Sequence, residues 1–106
     1  HRDGAAPITS AGSNYAVHPP VRDVTRPVGE WNTARLLVKG THVEHWMNGV
    51  KLLEYEFGSA DWQRGVLASK FADIHGYGRE TSGHLAIQDH GDPVAFRNIK
   101  VRRLSP

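Results

Sequence analysis

Alternating apolar and polar positions in the middle of the chain predict three consecutive β-strands. Residues 30–39 are predicted to form the first strand, because Ala34, Leu36 and Val38 alternate with Thr33, Arg35 and Leu37 and would point to the opposite face. Residues 43–47 and 50–55 are predicted to form the next two strands. Asn48 and Gly49 lie between them and are typical of a type I′ hairpin turn, which requires positive φ at both central positions. The pattern therefore predicts an antiparallel meander of three strands.

The spacing of apolar residues changes after the meander. Within residues 59–71 they recur at helical intervals behind a serine that can cap a helix, so we expect a short helix there. Alternation returns in residues 84–88, a turn at 91–93 contains glycine and proline, and a β-rich run occupies residues 94–104. We therefore expect five or six strands with one helical insertion, which is an all-β domain of the sandwich or jelly-roll class.

Residues 1–28 are expected to form a loop-rich lead-in to the strands. Proline and glycine interrupt this stretch repeatedly, and no helical or strand period lasts more than a few residues. Residues 29–106 carry all the predicted strands, and five or six strands are roughly half of a typical two-sheet sandwich. We therefore expect residues 1–106 to form a single, partial domain.

Composition places the chain among ordinary globular domains and narrows its possible partners. Its 106 residues suffice for one domain, with 39% hydrophobic and 23% charged residues. The 13 basic and 11 acidic side chains are spread along the chain and give a net charge of only +2, which argues against a nucleic-acid surface. Cysteine is absent, so disulfides and thiolate metal sites are excluded. No apolar run approaches the about 20 residues of a membrane-spanning helix.

Polar side chains gather around the predicted turn near residue 90. They are Gln88, Asp89, His90, Arg97 and Asn98. Together they offer hydrogen-bond acceptors, a titratable base and a bidentate donor at one sheet edge, a combination that suits a polyhydroxylated ligand. The alternative interpretation is that Asp89 and Asn98 only satisfy the backbone of the turn, as such residues often do.

Several motifs resemble those of one protein family and follow one another in that family's order. They are GEWN at 29–32, VKG at 38–40, HWMNG at 45–49, SKF at 69–71, GHLAIQDHG at 83–91 and FRNI at 96–99. This set resembles the 3-keto-disaccharide hydrolase domain family over about residues 12–104, and it corresponds to the C-terminal half of that family's domain. The resemblance implies a concanavalin- or laminin-G-like jelly-roll sandwich and activity on glycosides oxidised to a ketone at carbon 3. It also implies a bacterial protein that is exported, to the periplasm or outside the cell.

The implied chemistry needs a base and a group that stabilises an enolate. A ketone at carbon 3 acidifies the hydrogen on carbon 2, so removal of that proton can expel the aglycone from carbon 1, after which water adds. Histidine suits the base because its ordinary pKa is about 6.5, and His90 and His45 lie within the matching motifs. Arg97 could hold the enolate with its planar fork. The alternatives are that His45 is a buried histidine bonded to a neighbour and that Arg97 forms a salt bridge with Asp89 or Glu54.

Other residues are candidates for binding the sugar or a metal. The substrate-binding candidates are Gln88, Asp89, Asn48, Trp31, Trp46 and Tyr15. An aromatic face suits the apolar side of a pyranose ring, but an aromatic residue in a strand more often belongs to the core, and Asn48 is already explained by its turn. No cofactor is required by the pattern, although a divalent metal is compatible with the reaction as a Lewis acid. Its candidate ligands are His45, Asp89, His90 and an acid at Glu30 or Glu44.

The sequence leaves three functions of different classes open. The first is hydrolysis or elimination of 3-keto-glycosides by an enzyme, which the motifs favour. The second is a lectin-like module that binds an oligosaccharide or glycoside without catalysis. The third is a non-catalytic half-domain that is completed by a partner chain or a second copy, because an unpaired sheet edge tends to pair with another strand.

Overall fold

The computed structural model describes most of the chain. The described residues are 6, 8, 11–14, 17–74, 77, 83–88, 91 and 93–104. Within them the chain forms three strands followed by one helix. These are β1 (Ala34–Lys39), β2 (His42–Met47), β3 (Val50–Glu56) and α1 (Ala60–Leu67).

The three strands form one antiparallel sheet in the order β1-β2-β3, which confirms the predicted meander. Leu36 of β1 pairs with His45 of β2, and His45 pairs with Leu53 of β3. A β-bulge shifts the register between His45 and Trp46. Leu52 and Leu53 are therefore both buried, although neighbours in a regular strand point to opposite faces.

The turn between β2 and β3 is the predicted Asn48-Gly49 pair, with φ of 51° and 81°. The Asn48 side chain also holds the loop before β1. Its Oδ1 accepts from the Thr33 backbone N–H at 2.9 Å, and its Nδ2 donates to the Val24 carbonyl at 2.8 Å. Because the preceding residues take part in this loop network, β1 begins at Ala34, four residues later than predicted.

Helix α1 confirms the predicted helix but is shorter than residues 59–71. Ser59 caps its N-terminus, since the Ser59 Oγ accepts from the Trp62 backbone N–H at 3.1 Å. At the other end the Ser69 Oγ donates to the Val66 carbonyl at 2.7 Å. That side-chain bond occupies an acceptor that a further helical turn would use, and the helix ends at Leu67.

A small core lies between the sheet and the helix. Its buried side chains are Val17, Val43, Leu52, Leu53 and Trp62. Gly65 of α1 lies against Val17, and Gly12 lies against Leu52, so Gly12 contacts the sheet and Val17 contacts the helix. The Trp62 and Phe57 rings meet edge-on, with 5.9 Å between their centres, and this contact joins α1 to the end of β3.

The prediction of strands at 84–88 and 94–104 is wrong for the described residues, because residues 83–88 and 93–104 have no strand structure. Apolar side chains alternate there but stay exposed, as Leu85 does at 74% and Val101 at 77%. A strand is held by hydrogen bonds to a neighbouring strand, and alternation alone supplies none. Leu85 and residues 100–104 instead line an open groove together with β1.

The described residues thus form a small antiparallel sheet with one helix, consistent with the all-β class. Among these residues no helix is both long enough and apolar enough to cross a membrane.

Candidate functional site

One face of the sheet carries charged and aromatic side chains, and we call it the polar face. Its charged and aromatic members are Arg35, Lys39, His42, Glu44, Trp46, Lys51, Glu54 and Glu56. Alternate positions of a strand share a face, and so do directly paired residues of neighbouring strands. Arg35 pairs with Trp46, and Glu44 pairs with Glu54. The alternation therefore gathers side chains from all three strands in one place.

His42 is the centre of the polar face. Its Nδ1 donates to Glu56 Oε1 at 2.6 Å and its Nε2 donates to Glu44 Oε2 at 2.9 Å, while Glu54 Oε2 lies 3.7 Å from Nε2. The hydrogen bond to Glu44, followed by that to Glu56, raises the pKa of His42 above its ordinary value. Because both neighbours of the ring nitrogens are carboxylates, which accept hydrogen bonds, the arrangement favours the charged form of His42.

The carboxylates of Glu44 and Glu56 have further donors of their own. Thr41 Oγ1 donates to Glu56 Oε2 at 2.8 Å, and Trp46 Nε1 donates to Glu44 Oε1 at 2.7 Å. Hydrogen bonds from Thr41 and then His42 lower the pKa of Glu56, and bonds from His42 and then Trp46 lower that of Glu44. Both carboxylates are therefore held in their ionised form.

Glu54 and Trp46 extend the polar face along the sheet. Lys51 Nζ lies 3.2 Å from Glu54 Oε2. The Arg35 guanidinium lies 5.3 Å from the centre of the Trp46 ring, within the range of a cation–π contact. The face therefore combines hydrogen-bonding groups with a flat aromatic surface, the two features that bind the hydroxyls and the apolar side of a sugar ring.

The predicted catalytic residue His45 lies on the opposite face of β2. Its Nδ1 donates to the Gly12 carbonyl at 2.9 Å, and its Nε2 accepts from the Tyr55 hydroxyl at 3.3 Å. Burial, with a smaller effect of Tyr77, raises the pKa of Tyr55 to about 12, so that hydroxyl stays protonated. These surroundings correspond to the alternative in which His45 is a partly buried histidine bonded to its neighbours.

The structure brings two of the other predicted residues together. The Arg97 guanidinium lies 4.0 Å above the centre of the Trp31 ring. Gln88 is exposed, and Asn48 is occupied by the loop before β1. The remaining predicted residues lie outside the described residues, and their roles stay predictions. They are Tyr15, Asp89 and His90.

Sequence reasoning missed His42 and Glu56 and assigned Glu54 only to a salt bridge. The available signal is the alternation of polar residues at 42, 44 and 46 and again at 54 and 56, since such positions share one face. Spacing does not give the register that sets residue 42 opposite residue 56. The cluster depends on that register.

Three side chains of the polar face could share a metal ion. One ligand atom each from His42, Glu44 and Glu54 lie within 4.8 Å of one another. Imidazole nitrogen and carboxylate oxygen are common ligands of divalent transition metals. Of the ligands predicted from the sequence, Glu44 belongs to this group, whereas His45 lies on the other face and Glu30 is an exposed loop residue.

Known proteins resemble nearly the whole chain in sequence. The family described as 3-keto-alpha-glucoside-1,2-lyase-like domain matches residues 1–102. A 3-keto-disaccharide hydrolase of Bacteroides thetaiotaomicron is 38% identical over 105 residues, which cover 89% of this chain and 36% of that protein.

A solved structure resembles the chain in fold as well. It is a crystal structure of a Parabacteroides distasonis protein that is described provisionally as a glycosyl hydrolase. The two share a TM-score of 0.66 and 37% identity, over 74% of this chain and 35% of the other. The chain therefore spans about a third of the length of both relatives.

Proposed function

The chain belongs to the family of 3-keto-alpha-glucoside-1,2-lyase-like domains, and we propose that its polar face binds and acts on 3-keto-glycosides. The observation that carries this proposal is His42, whose ring lies between the carboxylates of Glu44 and Glu56, an arrangement that favours its charged form. Trp46 and Arg35 lie on the same face and provide an aromatic surface for a sugar. The family supplies the substrate class, and the identity to a 3-keto-disaccharide hydrolase supports the reaction type.

In the proposed reaction the polar face stabilises the charge that develops on the ketone oxygen. The base predicted at His90 takes the proton from carbon 2, and the electrons of that bond form an enolate on the oxygen at carbon 3. The bond from carbon 1 to the glycosidic oxygen then breaks, and its electrons leave with the aglycone, which takes up the proton from the base. The ketone re-forms with a double bond between carbons 1 and 2, and water adds across that double bond. A fixed positive charge at His42 beside the enolate oxygen lowers the barrier.

Turnover of a 3-keto-disaccharide tests this function. We expect the chain to release a monosaccharide from the 3-keto-disaccharide and not from the unoxidised disaccharide, with product followed by chromatography. His42→Gln should lower kcat by about 10²- to 10³-fold, the usual effect of removing one group that stabilises an oxyanion. His18→Gln is the matched control, because His18 pairs with Asp61 at 3.0 Å outside the polar face. No product with or without added Mn²⁺ would contradict the enzymatic proposal.

A carbohydrate-binding module is the second candidate, and the pairing of Trp46 with Arg35 favours it. Such a module would bind a glycan through Trp46 and release no product. Calorimetric titration of the unoxidised disaccharide, with and without the Trp46→Ala substitution, separates this function from catalysis. Binding that is lost in the variant, together with no turnover of the keto-sugar, would favour the module.

We also propose that the three-stranded sheet is part of a concanavalin-like jelly-roll sandwich, the fold that the family resemblance implies. The support is the outer edge of β1 and the exposed, alternating apolar residues of 83–88 and 93–104. Unpaired edges and alternating apolar residues are the features that added strands would cover. Those strands would come from another segment of the family's polypeptide, a partner chain or a second copy. Export to the periplasm or beyond is proposed from the resemblance alone.

A further inference from the structure

Three ligand atoms of the polar face, one each from His42, Glu44 and Glu54, lie within 4.8 Å of one another. His42 Nε2 lies 2.9 Å from Glu44 Oε2 and 3.7 Å from Glu54 Oε2. Ligand atoms that share one metal ion at about 2.1 Å each lie about 3–3.5 Å from one another. The observed separations are close to these values, so small rotations of the carboxylates suffice to enclose an ion.

The outer partners of this group are those that metal ligands usually have. His42 Nδ1 donates to Glu56 Oε1 at 2.6 Å, and Thr41 holds the other oxygen of Glu56 at 2.8 Å. A metal-binding histidine commonly donates its second ring N–H to a carboxylate, which fixes the ring and makes the ligating nitrogen more basic. Trp46 Nε1 bonds Glu44 Oε1 at 2.7 Å, whereas Glu44 Oε2 faces His42 Nε2, and the ion would replace the proton between those two atoms.

Carboxylates surround the ring of His42. Glu44, Glu54 and Glu56 have oxygens 2.9, 3.7 and 2.6 Å from its nitrogens. Arg35, Lys39 and Lys51 are the other cations of the same face, and Lys51 is paired with Glu54. A divalent ion at His42 would therefore meet the negative charge close to the ring, although the face as a whole has no excess of it.

We propose that His42, Glu44 and Glu54 bind one divalent transition-metal ion, with Glu56 as the positioning residue of His42. A mixed set of one imidazole nitrogen and two carboxylates suits Mn²⁺ or Zn²⁺ better than Ca²⁺, which takes oxygen ligands. Binding of the ion would displace the proton on His42 Nε2, and the ion would then supply, in place of that proton, the positive charge beside the ketone oxygen. The inference rests on the proposed function only for this role of the ion, because the site itself is argued from its ligands.

Binding of Mn²⁺ to the 106-residue chain tests the proposal directly. Calorimetric titration should give saturable binding of one Mn²⁺ per chain. The paramagnetic ion should broaden the indole N–H signal of Trp46, which donates to Glu44, before that of the buried Trp62. These two signals place the ion without any measurement of activity.

Substitutions identify the ligands. His42→Gln and Glu54→Gln should each weaken Mn²⁺ binding at least tenfold, and Glu56→Gln should weaken it by about 10- to 100-fold, the effect of losing an outer partner. Glu54 is half exposed, so Glu54→Gln should keep the wild-type unfolding midpoint even if His42→Gln does not fold. His18→Gln, which removes the histidine of another ion pair, should bind Mn²⁺ as the wild type does.

Two results would overturn the proposal. One is the absence of saturable Mn²⁺ binding by the wild-type chain. The other is binding of Mn²⁺ by Glu54→Gln and His42→Gln with the affinity of the wild type. Turnover of the keto-disaccharide without metal binding would refute the metal site and leave the proposed function standing. Metal binding without turnover would support the metal site and contradict the proposed function.

Discussion

His42 and His45 lie close in sequence but have opposite environments, and the period of the strand is the reason. An odd separation along β2 sends the two side chains to different faces of the sheet. His42 meets Glu44 and Glu56, which favour its charged form, whereas His45 meets the Gly12 carbonyl and Tyr55. The alternation of side chains between the two faces of β2 therefore decides which of the two histidines can take part in chemistry on the polar face.

The bonds of His42 predict a contribution to stability that depends on pH. The pKa of His42 is raised above 6.5, so its contribution is complete below pH 6.5 and is lost as the pH rises through the folded-state pKa. The pKa values of Glu44 and Glu56 are lowered below 4.5, so their contribution is complete above pH 4.5 and is lost as the pH falls. The combined contribution should be greatest between pH 4.5 and 6.5. We expect Glu56→Gln to lower the thermal unfolding midpoint more at about pH 5.5 than at about pH 9.

This effect should be small, because the groups are partly exposed and water screens their charges. Thermal scans should include a chelator, so that a bound metal does not contribute. Asp73→Asn is a suitable control, since Asp73 is an exposed acid on another segment. A difference in midpoint that grows between pH 5.5 and pH 9 would argue against the bonds described for His42.

Helix α1 contains a glycine that weakens the helix but permits its packing. Gly65 costs about 1 kcal/mol of intrinsic helix stability relative to alanine. A Cβ at this position would lie 2.8 Å from Val17 Cγ1 and 3.3 Å from the Val17 carbonyl oxygen. The side-chain atom can move away, but the carbonyl oxygen moves only with the backbone. The close approach of Val17 to α1 therefore depends on the absence of a side chain at Gly65.

We expect Gly65→Ala to lower the free energy of unfolding by about 1–2 kcal/mol, because overpacking outweighs the gain in helix propensity. Urea unfolding measures the change. Val17→Ala combined with Gly65→Ala should lose less than the sum of the two single substitutions, since the smaller side chain relieves the clash. Leu67→Ala is the control, as Leu67 is 71% exposed and its change should stay within about 0.5 kcal/mol. A more stable Gly65→Ala protein would contradict this account of the packing.

Local patterns predict an element well where its partner is also local. The Asn48-Gly49 turn sets β3 beside β2, so the alternation of both strands is realised in the structure. Residues 84–88 and 94–104 have similar alternation but no neighbouring strand within the described residues, and they form no strand. The polar face follows the same rule. Its members are visible in the alternation, but the contact of His42 with Glu56 requires the register across β2 and β3, which no single segment contains.

At the scale of the whole molecule, the described residues leave an extended apolar surface uncovered. Leu36 and Val38 of β1 are 55% and 49% exposed, and Leu85 and Val101 across the groove are 74% and 77% exposed. In the described sheet β1 pairs only with β2, so its other edge has unpaired backbone groups. Large contiguous apolar patches and open strand edges are rare on monomeric proteins, since both promote pairing with other chains.

We therefore expect the isolated chain to associate through β1. Native mass spectrometry should detect species heavier than the 11.8 kDa of one chain. Leu36→Lys together with Val38→Lys should shift the population toward the single-chain mass, because charges along an edge strand oppose pairing. Val28→Lys is the matched control, since Val28 is 99% exposed but lies outside the groove, and it should leave the association unchanged. A wild-type chain found only at 11.8 kDa would mean that this surface does not drive pairing, and a second copy would then no longer be a source of strands for a sandwich.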